Sequence, residues 1–204
     1  MKPTSAIGVF DSGIGGLTVV RELLRILPNE PNVYLGDTAR VPYGNKSRET
    51  VLKFSTENVL FLLHRDVKLV IIACHTASSF ALPFLERHFN YPILGVIEPG
   101  VEMALQVSRT GRIGVIGTHA TVGSQAYPHA FARSKAFALR QGSGRTVRRR
   151  VKLTQVACPL FVPLVEEGLL SDPLTEQIAA RYLKPLKVAR IDTLILGCTH
   201  YPLL

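Results

Sequence analysis

Short runs of β-branched and other apolar residues alternate along this chain with longer stretches of helical periodicity. That rhythm predicts βα units and a parallel sheet. The predicted strands are Ala6–Phe10, Asn32–Gly36, Leu69–Ala73 and Ile93–Ile97, then, after Pro99, Arg112–Ile116, Val151–Val156 and Thr193–Leu196. Several are nearly unbroken apolar runs, as strands are when helices cover both faces. A first helix begins near Gly15, with Leu17, Val20, Leu24 and Leu27 at helical spacing, and stops at Pro28-Asn29. Ser47 suits the N-cap of a second, reaching about His64. Asp172, followed by Pro173, opens a late helix with Leu174, Ile178 and Tyr182 on one face.

The pattern repeats. Ala6-Ile7-Gly8-Val9-Phe10-Asp11-Ser12 is similar to Arg112-Ile113-Gly114-Val115-Ile116-Gly117-Thr118, an offset of 106 residues. Lys68-Leu69-Val70-Ile71-Ile72-Ala73-Cys74-His75-Thr76 is similar to Asp192-Thr193-Leu194-Ile195-Leu196-Gly197-Cys198-Thr199-His200, an offset of 124. An internal repeat of this kind predicts duplicated units. The expected architecture is α/β, with two pseudo-symmetric parallel-sheet domains, residues 1–97 and 98–204, and an active site in the cleft between them. Each half ends a buried strand in a cysteine followed within two residues by a threonine and a histidine.

Composition bounds the class. The chain has 204 residues, 47% hydrophobic and 19% charged, enough to bury a core without a covalent staple. No apolar run approaches the ~18 residues of a membrane span. Met1-Lys2-Pro3-Thr4-Ser5 leads into a strand and then Asp11, too brief for a signal peptide. A soluble, cytoplasmic protein with no membrane partner is expected. The three cysteines are odd in number and far apart, so reduced thiols are expected. The net charge of +9 admits a nucleic-acid partner or a basic enzyme surface. Its densest cluster is Arg140, Arg145, Arg148, Arg149, Arg150 and Lys152, around Gln141-Gly142-Ser143-Gly144. This reads as a solvated basic loop, and nucleic acid is not the expected partner.

In open α/β sheets, ligands bind at the carboxyl ends of strands. Four polar clusters stand there: Asp11-Ser12-Gly13, Asp37-Thr38, Cys74-His75-Thr76 and Cys198-Thr199-His200. The turn Asp11-Ser12-Gly13-Ile14-Gly15-Gly16 has neither dinucleotide nor Walker spacing, and Asp11 would oppose a phosphate. Cys198-x-His200 is not a usual zinc spacing, although two Cys and two His could meet across a cleft. Pyridoxal chemistry needs a Schiff-base lysine beside a phosphate loop, and no lysine stands there. Two tuned thiols on opposite faces of one carbon are competent for racemisation: one removes a proton and the other returns one. No cofactor and no metal are then required. The bland alternative is a pair of packed core thiols.

The motifs resemble the glutamate racemase family. They are Asp11-Ser12-Gly13-Ile14-Gly15-Gly16-Leu17-Thr18, Gly36-Asp37, Pro42-Tyr43-Gly44, Cys74-x-Thr76-Ala77-Ser78, Val96-Ile97-Glu98-Pro99-Gly100, Cys158-Pro159 with Glu166, and Gly197-Cys198-Thr199-His200-Tyr201-Pro202. They run in order over nearly the whole chain. The resemblance implies cofactor-independent interconversion of L- and D-glutamate, with D-glutamate going to peptidoglycan. It implies Cys74 and Cys198 as the two bases, Asp11 assisting Cys74, and Glu166 and His200 serving Cys198. Asp11, Ser12, Tyr43, Gly44, His75, Thr76, Thr199 and His200 would hold the substrate. Asp37 is a supporting candidate near the Pro-Tyr-Gly loop, Thr118 and His119 match a strand end, and Cys158 is read as a packed thiol. His64, His88 and His129 are read as surface or packing residues. A homodimer is the expected assembly. Two alternatives stay open: a racemase of another acidic amino acid such as aspartate, and an inactive racemase-like binding protein.

Two departures from the family pattern carry expectations. His75 stands where the family has Asn. An imidazole that charges near neutral pH would attract a carboxylate and alter the pH profile. The chain also ends at Leu204, directly after the last motif, where family members continue through elements that return to the first half. An uncovered edge or face on the N-terminal sheet is expected.

Overall fold

A computed structural model describes residues 5–134, 138–140, 146–148 and 151–204. The first half runs β1 (Ala6–Asp11), α1 (Leu17–Ile26), β2 (Asn32–Gly36), α2 (Arg48–Leu63), β3 (Val67–Ile72), α3 (His75–Phe80), α4 (Leu82–His88) and β4 (Ile93–Gly95). The second runs α5 (Ile97–Val107), β5 (Arg112–Gly117), α6 (His119–Gly123), α7 (Ala126–Arg133), β6 (Ala138–Arg140), β7 (Thr146–Arg148), β8 (Lys152–Ala157), α8 (Phe161–Glu166), α9 (Pro173–Val188) and β9 (Thr193–Gly197). Among the described residues the strands form a sheet in the order β2-β1-β3-β4, a sheet in the order β8-β5-β9, and the hairpin-like pair β6-β7. The two larger sheets are parallel throughout. Of the basic cluster, Arg140 and Arg148 fall on β6 and β7. The stretch from Gln141 to Arg145, and Arg149 and Arg150, lie outside the described residues.

The repeat read from the sequence is a repeat of register. β1 pairs with β3 as Ile7 with Leu69 and Gly8 with Val70. β5 pairs with β9 as Ile113 with Thr193 and Gly114 with Leu194. The sequence offsets of 106 and 124 carry the pairs from Ile7–Leu69 to Phe10–Ile72 onto the pairs from Ile113–Thr193 to Ile116–Leu196. Cys74 and Cys198 therefore follow equivalent strands beside equivalent central strands.

Caps and apolar runs explain most boundaries. Ser47 accepts from the Thr50 amide at 3.2 Å and starts α2. Asp172 accepts from the Leu174 amide at 2.7 Å and starts α9, with Pro173 supplying a fixed φ where no N–H is needed. Three expectations are corrected. The strand from Ile93 stops at Gly95, because Val96 already has helical dihedrals and Ile97 begins α5. Ile97 is buried with Val101, Ile113 and Tyr127 in the second half's core. On α1 the residues that pack are Val19, Val20 and Leu23, against Ile7, Val9 and Ala73, while Leu17, Leu24 and Leu27 are exposed. The apolar stripe of α1 is wider than the strip of sheet it meets. On α9, Ile178 and Tyr182 pack against the second half's core, whereas Leu174, in the first turn, is exposed.

The first sheet does carry an uncovered apolar surface. β4 is an edge strand, its Leu94 is 52% exposed, and no residue of α1 is fully buried. Among the described residues no helix is long and apolar enough to cross a membrane. His64, His88 and His129 are exposed, as read from the sequence.

Candidate active site

The carboxyl ends of β1, β3, β5 and β9 meet at one cavity. From the first half it is lined by Ser12, Pro42, Tyr43, Gly44, Cys74, His75 and Thr76, and from the second by Thr118, Val162, Cys198, Thr199 and His200. Both thiols thus reach the same enclosed space. The cavity is nearly shut, with a free volume of ≈ 10 Å³, about what one water molecule needs. Glycines permit this closeness. A Cβ on Gly44 would fall 2.5 Å from Cγ2 of Thr118, and one on Gly15 would fall 2.8 Å from the Thr199 backbone carbon.

Cys74 is the N-cap of α3. Its sulfur accepts from the Ala77 amide at 3.5 Å and its thiol donates to Ser12 Oγ at 3.7 Å. Burial, and after it the Asp11 charge, push the thiol up to about 12 against those stabilising contacts. Burial likewise raises Cys198, with Cys74 and Asp11 adding to the rise and the amides of His200 and Tyr201 opposing it. Both groups are therefore protonated thiols in this arrangement. Cys158 is a buried thiol whose Sγ lies 3.7 Å from the Val156 carbonyl, and it does not line the cavity.

Asp11 sits beneath the cavity rather than on it. One carboxylate oxygen accepts from the amides of Gly13 and Gly16 at 3.0 and 3.1 Å, and the other accepts from Thr199 Oγ1 at 3.1 Å. The last bond ties the end of β1 to the loop after β9. Burial raises the carboxyl, opposed by the Gly13 amide, His200, Thr199 and the Gly16 amide. No direct hydrogen bond joins Asp11 to Cys74 among the described contacts; its influence on that thiol is electrostatic.

On the other side, His200 is 2% exposed. Its Nδ1 lies 3.9 Å from Cys198 Sγ and its Nε2 lies 2.5 Å from Glu166 Oε1. Thr76, Thr118 and Thr121 form a hydroxyl cluster across the two halves, with Thr76 3.0 Å from Thr118 and 3.3 Å from Thr121. Thr118 also caps α6 by accepting from the Thr121 amide. His119 is exposed and lines a neighbouring cavity of ≈ 140 Å³.

His75 corrects an expectation. It lines the cavity and stacks on Tyr127, with ring centroids 6.4 Å apart, and its Nδ1 is buried without a partner. Burial lowers its pKa to about 4, so the imidazole is neutral at physiological pH and does not act as a cation. The sequence reading also missed Val162, an apolar wall residue with no polar signal, and Thr121. Among the described residues no three His, Cys, Asp or Glu side chains converge as metal ligands would.

The chain belongs to the Asp/Glu/Hydantoin racemase family, whose profile matches residues 7–204. It is 50% identical over 202 residues to the glutamate racemase of Geobacter metallireducens, covering 99% of this chain and 70% of that protein. Its fold matches the crystal structure of glutamate racemase isoform RacE1 from Bacillus anthracis with a TM-score of 0.87 at 41% identity, covering 98% of this chain and 70% of that one. It also matches the glutamate racemase of Francisella tularensis, solved with D-glutamate, with a TM-score of 0.83 at 41% identity and the same coverage.

Proposed function

We propose that this protein interconverts L- and D-glutamate without a cofactor, using two thiols on opposite faces of the α-carbon, and so supplies D-glutamate for peptidoglycan. The observation that carries the reading is that Cys74 and Cys198, from register-equivalent positions in the two halves, line one cavity. Racemisation at carbon needs an acceptor on one face and a donor on the other. In each direction one sulfur starts as thiolate and the other as thiol. Because burial holds both as thiols, the substrate's ammonium charge is what favours a thiolate beside it.

Asp11 stands on the Cys74 side, and Glu166 with His200 on the Cys198 side. Ser12, Tyr43, Gly44, His75, Thr76, Thr199 and His200 hold the ammonium and the carboxylates. The chain divides at the boundary between β4 and α5, near residue 97, into two halves that face each other across the cleft. The working form is a cytoplasmic homodimer.

The test follows optical rotation of L- and D-glutamate by circular dichroism, together with deuterium uptake at the α-carbon in heavy water, with L-aspartate as the comparison substrate. Racemisation of glutamate, abolished in both Cys74→Ser and Cys198→Ser, is expected. Turnover that survives either substitution, or a parent active on aspartate and not glutamate, overturns the reading.

A further inference from the structure

Tyr43 lines the cavity, but its hydroxyl is engaged inside the protein. It donates to Asp37 Oδ2 and accepts from Asn58 Nδ2 at 3.0 Å, so one donor and one acceptor role are both used inside the protein. Burial, then the bond to Asp37, raise its pKa, which keeps it a neutral donor. Both partners of that hydroxyl are held by one side chain. Arg40 Nε donates to the Asp37 oxygens at 2.9 and 2.7 Å, and Nη2 donates to Asn58 Oδ1 at 3.1 Å. Nη1 pairs with Glu57, and the guanidinium lies over the Phe54 ring, 4.2 Å from its centroid. Phe54 in turn packs on Tyr43, with centroids 5.7 Å apart.

This circuit has one consistent polarity. Arg40 holds the oxygen of the Asn58 amide, which turns its nitrogen toward Tyr43. The phenol must then donate to Asp37, which accepts as a carboxylate paired with Arg40. The Asp37 amide also donates to the Asp11 carbonyl at 3.0 Å, which fixes the circuit to the end of β1.

We infer that Arg40 is a positioning residue for the reaction: it holds Asp37, Asn58 and Phe54 around Tyr43, so that Pro42-Tyr43-Gly44 forms one wall of the substrate cavity. It does this from outside, since Arg40 does not line the cavity. Its side chain is 29% exposed, reachable from solvent. The planar fork matters, because a lysine carries its three donors on one atom and cannot match the separate positions that Nε and Nη2 occupy. The inference rests on the reading of this cavity as the glutamate site.

A wall that meets ground state and transition state alike acts on binding. Arg40→Ala is therefore expected to raise KM for both enantiomers roughly tenfold, with kcat changed less than about threefold, since small misplacements of a binding wall are costly. Arg40→Lys keeps the charge and secures folding, and is expected to show the same split at smaller size. Glu57→Gln removes only the outer partner and should leave KM within about twofold of the parent, as exposed pairs contribute little. Millimolar guanidinium should restore KM in Arg40→Ala, and methylammonium should not. An unchanged KM in both Arg40 variants overturns the inference, as does an equal rise in Glu57→Gln. A parent inactive on glutamate overturns the proposed function instead, so the two failures are distinct.

Discussion

Glu166 Oε1 lies 2.5 Å from Nε2 of His200, whose other ring nitrogen faces the Cys198 sulfur at 3.9 Å. A carboxylate on Nε2 keeps a proton on that nitrogen and orients the ring so that Nδ1 faces the thiol. Glu166→Gln removes that constraint, since an amide can donate or accept. A fall in kcat of about tenfold or more is expected. The two enantiomers have equal free energy in solution, so kcat/KM must fall equally in both directions, and asymmetry can show only in kcat and KM separately. Steady-state circular dichroism in both directions is the check; kcat values matching the parent in both would remove Glu166 from the proton path.

His75 gives an expectation on pH. Its folded pKa, lowered to about 4 by burial, lies below the ordinary value of 6.5. Above about pH 6 the folded protein holds it neutral, so its titration contributes nothing to activity there. The rate-versus-pH curve of His75→Asn should therefore superimpose on the parent between about pH 6 and 9. Stability carries the opposite signature. As pH falls from 6.5 toward 4 the unfolded chain binds a proton that the folded chain refuses, so the folded state loses at most about 3 kcal/mol. Between pH 7 and 5 the parent should lose more thermal stability than His75→Asn, as read by melting temperature.

Close approach of the two halves is the subject of a paired substitution. A methyl group on Gly15 would meet Thr199 Oγ1 at 2.7 Å and its backbone carbonyl carbon at 2.8 Å, and backbone cannot rotate away. Gly15→Ala should hold the cleft apart and lower kcat/KM by about tenfold or more. Gly100, within α5, meets only Ile195 Cγ2 at 3.9 Å. Gly100→Ala should leave kinetics alone and stabilise by about 0.5–1 kcal/mol through the helix backbone. That corresponds to a rise in melting temperature of a few degrees for a chain of this size. Full activity in Gly15→Ala would show that closure does not depend on that contact.

Much of the fold was legible because buried parallel strands are continuous apolar runs, and the seven predicted strands fall within about two residues of β1, β2, β3, β4, β5, β8 and β9. The repeat was legible for the same reason, and even its unequal offsets were correct. Short helices were not. His75–Phe80 and His119–Gly123 are too brief to show a period, and α3 is capped by a cysteine sulfur rather than by a usual cap residue. Apart from Val162, the motifs named the residues that face the cavity. They did not name Arg40 and Asn58, which act on Tyr43 only after folding brings positions 18 and 15 residues apart into contact. Nor could they give the charge of His75, because that depends on how completely its neighbours exclude water.

The nearly shut cavity has a further consequence for reagents that attack sulfur. Cys74 and Cys198 are 5% and 6% exposed, and the space between them holds about one water. An electrophilic inhibitor or an oxidant larger than water finds no room beside either sulfur in this arrangement, so its attack requires the cavity walls to part first. Closure thus serves as chemical armour for two sulfurs, and a covalent inhibitor gains more from a scaffold that wedges the halves apart than from a more reactive warhead.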